Sequence, residues 1–430
     1  MKKINEEYGS VQEYLSELEQ RSLLPEGFRC STSSLTFFPE EKPSSKPYRM
    51  NLSLILLDEP SSMFGAVFTK NVFPGMPVLI GRERLLQEKL RGLLINNKIS
   101  NVCAKNARGN VEYLIRNLSG IISCPPEELI PSSTGIIGWQ LPVSEMLKSL
   151  PELVKNLNNK SLLPVAQAIM TTDSFPKVRS ISVGDGHIVG IAKGAGMIEP
   201  NLATMLCFIL TDLKIERDTL RKSLKTAAAR SFNCISVDGD QSTSDSVYLI
   251  SSGKKKETEE EEFTDALTSL CMKLAEDIVR NGEGTGHVMR IRVTGAEEYT
   301  AALCSAKAVA NSPLVKTAIY GNDPNVGRLI AALGDYIGNN KITVNTNNVS
   351  ISMGGIKLFD SNIFMLDNKK EKTLYDYLED CRLDIPTGGY PAHNRTVDIG
   401  INLGAGEGTA EVLASDLSHD YITINAEYRT

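Results

Sequence analysis

The chain has no long hydrophobic run and no patterned cysteines. No window approaches eighteen consecutive apolar residues, and the N-terminus has no apolar core of the signal-peptide kind. The eight cysteines are scattered and include no C-x-x-C pair, so neither a metal site nor a disulfide framework is predicted. No glycine-rich phosphate loop follows a predicted strand, and no internal repeat stands out. A reducing cytoplasm is the expected compartment.

The composition is that of an ordinary globular protein with a large core. Hydrophobic residues make up 41% of the 430-residue chain and charged residues 23%. The net charge of −6 repels nucleic acid and anionic membranes on average, so neither is an expected partner. This balance leaves room for a local cationic pocket that binds a carboxylate substrate.

Helical and strand patterns alternate along the chain, which predicts an α/β fold. Helices are predicted over residues 10–24, 143–157, 161–170, 215–231, 263–280 and 297–310. Strands are predicted over residues 50–57, 65–69, 93–95, 178–183, 187–192, 204–210, 288–293, 341–346 and 421–425. Gly184-Asp185-Gly186 is a hairpin signal, and the charged run at 254–262 is expected to be a solvated loop.

The most informative stretch runs from Lys193 to Leu206, with the sequence K-G-A-G-M-I-E-P-N-L-A-T-M-L. Glycines loosen the backbone, and Ala203-Thr204 then opens an apolar run. A threonine hydroxyl is a weak nucleophile unless a base lies beside it, and its own α-amine becomes such a base once the preceding peptide bond is cut. An isolated Ala-Thr pair is better explained by a loop that enters a buried strand.

The full stretch resembles the self-cleavage segment of the ornithine acetyltransferase family, the glutamate N-acetyltransferases of the cyclic arginine pathway. The resemblance runs from about Gly27 to Thr430. Further blocks support it in the right order: residues 131–138, 170–173, 237–246, 280–284, 316–328 and 424–430.

The resemblance implies roles for particular residues. Thr204 is the nucleophile, Ala203-Thr204 is the cleavage site, and Thr134 with Gly135 forms the oxyanion hole. The implied substrate-binding residues are Thr171, Thr172, Lys193, Thr204, Glu283, Asn425 and Thr430. Without the resemblance, the segment at 131–138 is explained by a glycine turn that closes a strand, and the segment at 237–246 by turn chemistry.

The resemblance also implies a layered α/β architecture of the N-terminal-nucleophile kind, like that of DmpA-type aminopeptidases. Cleavage would give an alpha chain, 1–203, and a beta chain, 204–430, which associate in one enzyme unit, as a heterotetramer of two alpha and two beta chains. N-acetylornithine would donate an acetyl group to glutamate. Neither a cofactor nor a metal is implied, although acetyl-CoA is a substrate in bifunctional members.

The chain departs from the family pattern in four places, at residues 97–101, Val326, 285–287 and 412–415. These departures keep three alternatives open. The first is an amide hydrolase or aminopeptidase on the same scaffold, in which water replaces glutamate. The second is a catalytically degenerate relative that serves as a binding subunit. The third is a bifunctional enzyme that also acetylates glutamate from acetyl-CoA.

Overall fold

The computed structural model describes residues 6–43, 46–199, 205–383 and 389–427. The strands in this part of the chain are β1 Phe28–Phe37, β2 Tyr48–Ser61, β3 Phe64–Phe68, β4 Leu90–Asn96, β5 Leu129–Ser133, β6 Lys177–Val183, β7 Gly186–Lys193, β8 Leu206–Thr211, β9 Ile235–Ser236, β10 Ser246–Ser251, β11 Val288–Ala296, β12 Ser350–Met353, β13 Ile356–Asp360, β14 Ile363–Phe364, β15 Val397–Asn402 and β16 Gly408–Ser415. The helices are α1 Val11–Arg21, α2 Met76–Arg84, α3 Ala107–Ile122, α4 Val143–Lys155, α5 Leu163–Ala168, α6 Arg217–Arg230, α7 Glu260–Arg280, α8 Tyr299–Ala310, α9 Pro313–Tyr320, α10 Val326–Asn339, α11 Asn368–Cys381 and α12 His419–Ala426.

The strands form three sheets. The first has four strands in the order β1-β2-β4-β5, and the second has five in the order β3-β10-β8-β7-β6. The third has seven strands in the order β14-β13-β12-β15-β11-β16-β9. The five-stranded sheet matters most here, because it contains β7 and β8 on the two sides of the predicted cleavage site.

The first two sheets pack face to face between helices. Strand β8 shows this arrangement, because alternate side chains of a strand point to opposite faces. Leu206, Phe208 and Leu210 pack against the four-stranded sheet, whereas Cys207 and Ile209 pack against α6 and α7. Helices α3 and α4 cover the outer face of the four-stranded sheet. The order of layers is therefore helix, sheet, sheet, helix, and the predicted layered α/β class is confirmed.

The third sheet builds a separate core with α8, α10 and α11. Its central strand β11 contributes Met289, Ile291 and Val293, all fully buried. The end of its neighbour β16 leads through Ser418 into α12, whose Tyr421 and Asn425 side chains contact Asp238 and Glu283.

Most predicted elements are present. The hairpin at Gly184-Asp185-Gly186 is confirmed, because β6 and β7 pair antiparallel with Val183 opposite Gly186. The charged run forms a loop up to Glu259, after which its last glutamates open α7.

The strand predicted over Lys341–Thr346 is wrong. Lys341 has a φ of +53°, and the amide of Ile342 donates to the carbonyl of Ile337, so the segment closes the C-terminus of α10. Val344 is only partly buried against the third core. The alternation of apolar residues therefore reflects a helix cap followed by an irregular segment, not a pleated strand.

The strand predicted over Tyr421–Asn425 is also wrong, because these residues lie in α12. The hydroxyl of Ser418 accepts a 3.1 Å hydrogen bond from the Tyr421 amide and caps the helix. Ile422 is 57% exposed, so the alternating pattern does not mark a buried strand face.

Candidate active site

The loop between β7 and β8 carries the predicted cleavage site. The two strands are antiparallel neighbours, with Lys193 opposite Leu206. The predicted scissile pair, Ala203 and Thr204, lies outside the described residues. The chain is described up to Glu199 before the pair and from Met205 after it, and several hydrogen bonds hold these two ends in place.

The carboxylate of Asp238 holds the loop before the cleavage site. It accepts the amides of Met197 and Ile198 at 2.6 and 2.8 Å, and the Ile198 carbonyl accepts the amide of Val237 at 2.7 Å. Met197 has a φ of +58°, a left-handed conformation that costs a non-glycine residue about 1–2 kcal/mol. Hydrogen bonds to a charged acceptor are strong enough to offset that cost.

Further hydrogen bonds hold both ends of the loop. The amide of Glu199 donates to the carbonyl of Asp240 at 2.8 Å, and its carboxylate accepts a hydrogen bond from Asn311. After the cleavage site, the carbonyl of Met205 accepts the amide of Ser246 at 2.8 Å. The five residues between Glu199 and Met205 are therefore bracketed by anchored positions.

A fully buried carboxylate, Asp173, joins a predicted substrate segment to the same loop. It accepts the amide of Thr171 at 3.0 Å and that of Gly194 at 2.8 Å. The ammonium of Lys177 lies 2.5 Å away and also donates to Asn281. Burial would raise the pKa of Asp173, but the positive charges of Lys177 and Lys193, together with the hydrogen bonds from Lys177 and the Gly194 amide, outweigh burial and hold that pKa well below its ordinary value. Asp173 is therefore an ionised anchor for this part of the site.

Thr172, the second predicted substrate contact of this segment, is half-buried. The preceding residues are fixed by Asn97, whose side-chain amide donates to the carbonyls of Ala168 and Met170 at 2.9 and 3.0 Å. Asn97 begins one of the segments that depart from the family pattern. Asn97 therefore has a structural role beside the substrate segment, although its segment departs from the family pattern.

The predicted oxyanion residues follow β5. The amide of Thr134 donates to the carbonyl of Asn96 at 3.1 Å. Gly135 has a φ of +125°, and a Cβ there would lie 2.1 Å from the carbonyl carbon of Lys98, so only glycine fits. The next amide, that of Ile136, donates to the Lys98 carbonyl at 2.9 Å. Within the described ranges, the Gly135 amide itself donates to no acceptor.

A small cavity of about 20 Å³ brings these groups together. Thr134 and Lys193 line one side, with Lys193 Nζ 3.4 Å from Thr134 Oγ1. Met205, Ser244 and Asp245 also line the cavity. A hydroxyl, a cation and a carboxyl group therefore converge next to the residue that follows Thr204 in the sequence.

Glu283 and Asn425 lie on the other side of the loop. The side-chain amide of Asn425 donates to Glu283 Oε2 at 2.8 Å, and the Glu283 backbone amide donates to the carbonyl of Ala195 at 2.8 Å. The carboxylate lies so close to Gly196 that a Cβ there would be 2.3 Å from Oε2. Gly196 lines the small cavity. Thr430, the last predicted contact, lies outside the described residues.

A larger cavity of about 270 Å³ lies behind the Glu283 loop, between the C-terminus of α7 and α12. Gly282 and Gly284, the neighbours of Glu283, line it together with Arg280 and Asn281. Glu283 therefore occupies a loop that borders the larger cavity, and its carboxylate lies against Gly196, which lines the smaller one.

The sequence analysis assigned no role to three residues that organise the site: the buried Asp173 and Lys316, and the partly buried Asp238. Lys316 donates to the carbonyl of Val237 at 2.8 Å, and burial lowers its pKa to about 8. Asp238 lies in the segment 237–246, which was noticed but is equally typical of turns. A single sequence contains no pattern that shows that the charged side chains of Asp173 and Lys316 are buried.

The described ranges contain neither a membrane-spanning helix nor a cluster of metal-ligating side chains. None of their helices is long and apolar enough to span a membrane. No three His, Cys, Asp or Glu side chains there are grouped to hold a metal ion. All eight cysteines are free thiols.

The site thus combines a hydroxyl, a cation and a carboxyl group within a layered α/β fold. The family model described as the ArgJ family matches residues 41–430. The chain belongs to this family of acyltransferases of arginine biosynthesis, and the resemblance noted from the sequence is confirmed at that level.

One curated relative and two solved structures illustrate the similarity. "Arginine biosynthesis bifunctional protein ArgJ 2" of Clostridium acetobutylicum is 34% identical over 94% of this chain and 98% of its own length. The crystal structure of the arginine biosynthesis bifunctional protein from Bacillus halodurans is 34% identical, with a TM-score of 0.45 over 51% of this chain and 98% of that chain. The ornithine acetyltransferase from Mycobacterium tuberculosis, complexed with ornithine, is 27% identical, with a TM-score of 0.37 over 43% and 97%.

Proposed function

We propose that the chain is a self-processing acyltransferase that cuts itself between Ala203 and Thr204 and then moves the acetyl group of N-acetylornithine to glutamate. The observation that carries this proposal is the loop anchored by Asp238 before the predicted cut and by Ser246 after it, beside the cavity of Thr134 and Lys193. An ordinary surface loop needs no such set of charged and buried anchors.

In the uncut chain, the hydroxyl oxygen of Thr204 attacks the carbonyl carbon of Ala203. The hydroxyl proton passes to the nitrogen of Thr204 as the peptide C–N bond breaks, which leaves an ester between the two residues. Water hydrolyses the ester and gives the carboxylate of Ala203 and a Thr204 with a free α-amine and a free hydroxyl. The anchored loop supports this step because it lowers the entropy lost in reaching the bent geometry.

In the cut enzyme, Thr204 attacks the acetyl carbonyl of N-acetylornithine. Its α-amine takes the hydroxyl proton and passes it to the departing amine of ornithine, leaving acetyl-Thr204. The amine of glutamate then attacks this ester and leaves as N-acetylglutamate, while Thr204 regains its proton. A double displacement of this kind predicts ping-pong kinetics.

We assign the oxyanion hole to Thr134 and Gly135. Each tetrahedral intermediate places negative charge on the former carbonyl oxygen, and one preorganised donor stabilises that charge by roughly 3 kcal/mol. Three observations support the assignment: the burial of Thr134, the uncommitted amide of Gly135 within the described residues, and the nearby ammonium of Lys193.

We assign the recognition of a substrate ammonium group to Glu283, oriented by Asn425. A carboxylate that is 8% exposed needs an opposite charge, and its only side-chain donor within the described residues is the neutral amide of Asn425. Lys193 and Thr430 would hold carboxylate or polar substrate groups, and Thr171 and Thr172 would line the pocket.

The two fragments would remain one unit after cleavage. The five-stranded sheet contains β3, β6 and β7 from residues 1–203 and β8 and β10 from residues 204–430, with β7 and β8 paired along their length. Shared sheet hydrogen bonds and a common core support an alpha–beta pair that persists without a covalent link. We expect two such pairs to associate in the cytoplasm.

Use of acetyl-CoA as a second acetyl donor is part of the proposal. The Clostridium relative carries the word "bifunctional" in its name, which supports a second activity for this chain. The hydrolase and binding-subunit alternatives make different predictions about products, so one assay separates them from the transferase.

The test combines intact-mass analysis with turnover. Purified protein is incubated with N-acetylornithine and glutamate, and separately with acetyl-CoA and glutamate. The proposal predicts two fragments, ornithine and N-acetylglutamate. Acetate that forms at the same rate without glutamate would favour a hydrolase, and ligand binding without product would favour a binding subunit.

A further inference from the structure

The carboxyl group of Asp245 lines the small cavity and takes no part in the mechanism proposed above. Asp245 is 2% exposed, and its Oδ2 has no hydrogen-bond partner among the described residues. The neighbouring hydroxyl of Ser244 is also buried and has no partner in this part of the chain. Each such group costs about 1–3 kcal/mol when it stays unsatisfied. Two adjacent ones at a single cavity indicate that a polar partner belongs there.

The register of the sheet places Asp245 beside the start of β8, the strand that follows the predicted nucleophile. Strands β10 and β8 are parallel, with Ser246 opposite Leu206, and the Ser246 amide donates to the carbonyl of Met205. Asp245 immediately precedes β10, just as Met205 immediately precedes β8. The sheet therefore holds Asp245 beside Met205, the residue that follows Thr204 in the sequence.

Few charged groups surround this carboxyl. Lys193, at the end of β7, is the only charged residue besides Asp245 that lines the cavity within the described ranges, while Thr134, Ser242 and Ser244 are uncharged. Burial raises the pKa of Asp245 well above its ordinary value, against the lowering effects of Ser242 and Lys193. The carboxyl is thus poorly compensated in the uncut chain and would gain from a second cation.

We propose that Asp245 is a positioning residue for the α-amine of Thr204, the new N-terminus that self-cleavage creates. This inference rests on the proposed function. The carboxyl group accepts a hydrogen bond from the α-amine and turns the nitrogen lone pair toward the threonine hydroxyl. When the amine takes the hydroxyl proton, the carboxylate stabilises the resulting ammonium, as the aspartate of a Ser-His-Asp triad stabilises its imidazolium.

The proposal separates the two reactions of the enzyme. The uncut chain has no free α-amine at Thr204, so Asp245 has nothing to position during self-cleavage. The cut enzyme uses the α-amine in every turnover. Loss of the carboxylate should therefore spare cleavage and impair acetyl transfer, whereas a residue that only supports the fold would affect both reactions together.

The test replaces the carboxyl group with a neutral amide of the same shape, Asp245→Asn, and compares it with Asp185→Asn in the exposed hairpin turn. Cleavage is followed by intact mass and transfer by N-acetylglutamate formation across pH. We expect complete cleavage, a loss of kcat/KM of roughly 100-fold or more, and an acid limb moved to lower pH by about one unit. The limb moves down because an ammonium without its carboxylate partner loses its proton more readily.

Other outcomes overturn the inference. Wild-type transfer rates in Asp245→Asn, or parallel loss of cleavage and transfer, would exclude a role confined to the cut enzyme. If Asp245→Asn does not fold, Asp245→Glu must fold and recover part of the transfer activity, because it retains the carboxyl group; failure of both would make the residue purely structural. Failure of the wild-type protein to cleave and transfer would instead reject the proposed function.

Discussion

The side-chain amide of Asn425 donates a 2.8 Å hydrogen bond to Oε2 of Glu283 and so connects helix α12 to the loop that follows α7 and borders the larger cavity. Asn425 lies near the end of the chain, whereas Glu283 follows α7 in the middle of the sequence. The hydrogen bond fixes one carboxylate oxygen and leaves the other able to meet a substrate. The C-terminal helix thereby contributes to the site although it belongs to the unit of the third sheet.

Replacement of Glu283 by Gln should weaken the binding of substrates that carry an ammonium group. A hydrogen bond to a charged partner contributes about 1.5–3 kcal/mol, so KM for N-acetylornithine should rise roughly 10- to 150-fold. Steady-state kinetics measure this effect, with Glu407→Gln on the exposed β15–β16 turn as the matched control. An unchanged KM with a lowered kcat would move Glu283 from substrate binding to the chemical step.

Replacement of Thr134 by Ala should reduce kcat by roughly 100-fold or more and change KM much less. The reason is that the oxyanion exists in the transition state and not in the bound substrate. Thr134→Ser keeps the hydroxyl and should retain much of the activity. If Thr134→Ala raised only KM, the hydroxyl would contact the ground state and the oxyanion assignment would be wrong.

Asp238→Ala should slow self-cleavage. The variant loses the acceptor of the Met197 and Ile198 amides, so the loop no longer keeps the left-handed conformation of Met197. Because each bond contributes about 1.5–3 kcal/mol, the rate should fall at least tenfold. The fraction of intact chain over time measures it, with Asp185→Ala as the control. Processing at the wild-type rate would show that the anchor is dispensable for cleavage.

Lys316 should make stability depend on pH in the alkaline range. Burial lowers its pKa to about 8, below the ordinary lysine value, so the unfolded chain binds more protons between these two pKa values. The contribution of Lys316 to stability should therefore rise with pH from about 8 to about 10.5. Denaturant unfolding of Lys316→Met, compared with wild type and with Lys105→Met, should show that this rise is missing. Parallel pH profiles in all three proteins would contradict the lowered pKa of Lys316 in the folded chain.

Local sequence patterns predicted much of the layered fold because its strands and helices bury regular faces. The hydrophobic strand β8 and the helix α6 both have periods that a single sequence displays. The alternating patterns at 341–346 and 421–425 wrongly predicted strands, because their apolar residues are partly exposed. The capping interactions at Lys341 and Ser418 determine the conformation of these segments instead. A two-residue period identifies a strand only where one face is buried.

The candidate site was predicted through motif resemblance, and the structure adds the groups that hold it. Thr134, Lys193 and Glu283 were expected near the cleavage loop, and each lies beside that loop. Asp173 and Asp238 act through backbone amides of residues distant in sequence, so no local pattern distinguishes them from turn residues. Their roles depend on tertiary contacts that form only in the folded chain.

N-terminal sequencing combined with intact-mass analysis of the purified protein tests the central claim most directly. The account predicts two co-purifying fragments, with the second beginning at Thr204. It also predicts that Thr204→Ala remains a single inactive chain, whereas Thr204→Ser retains part of both reactions because its hydroxyl survives. An intact wild-type chain that transfers acetyl groups would contradict the account, because the α-amine of Thr204 would then never become free.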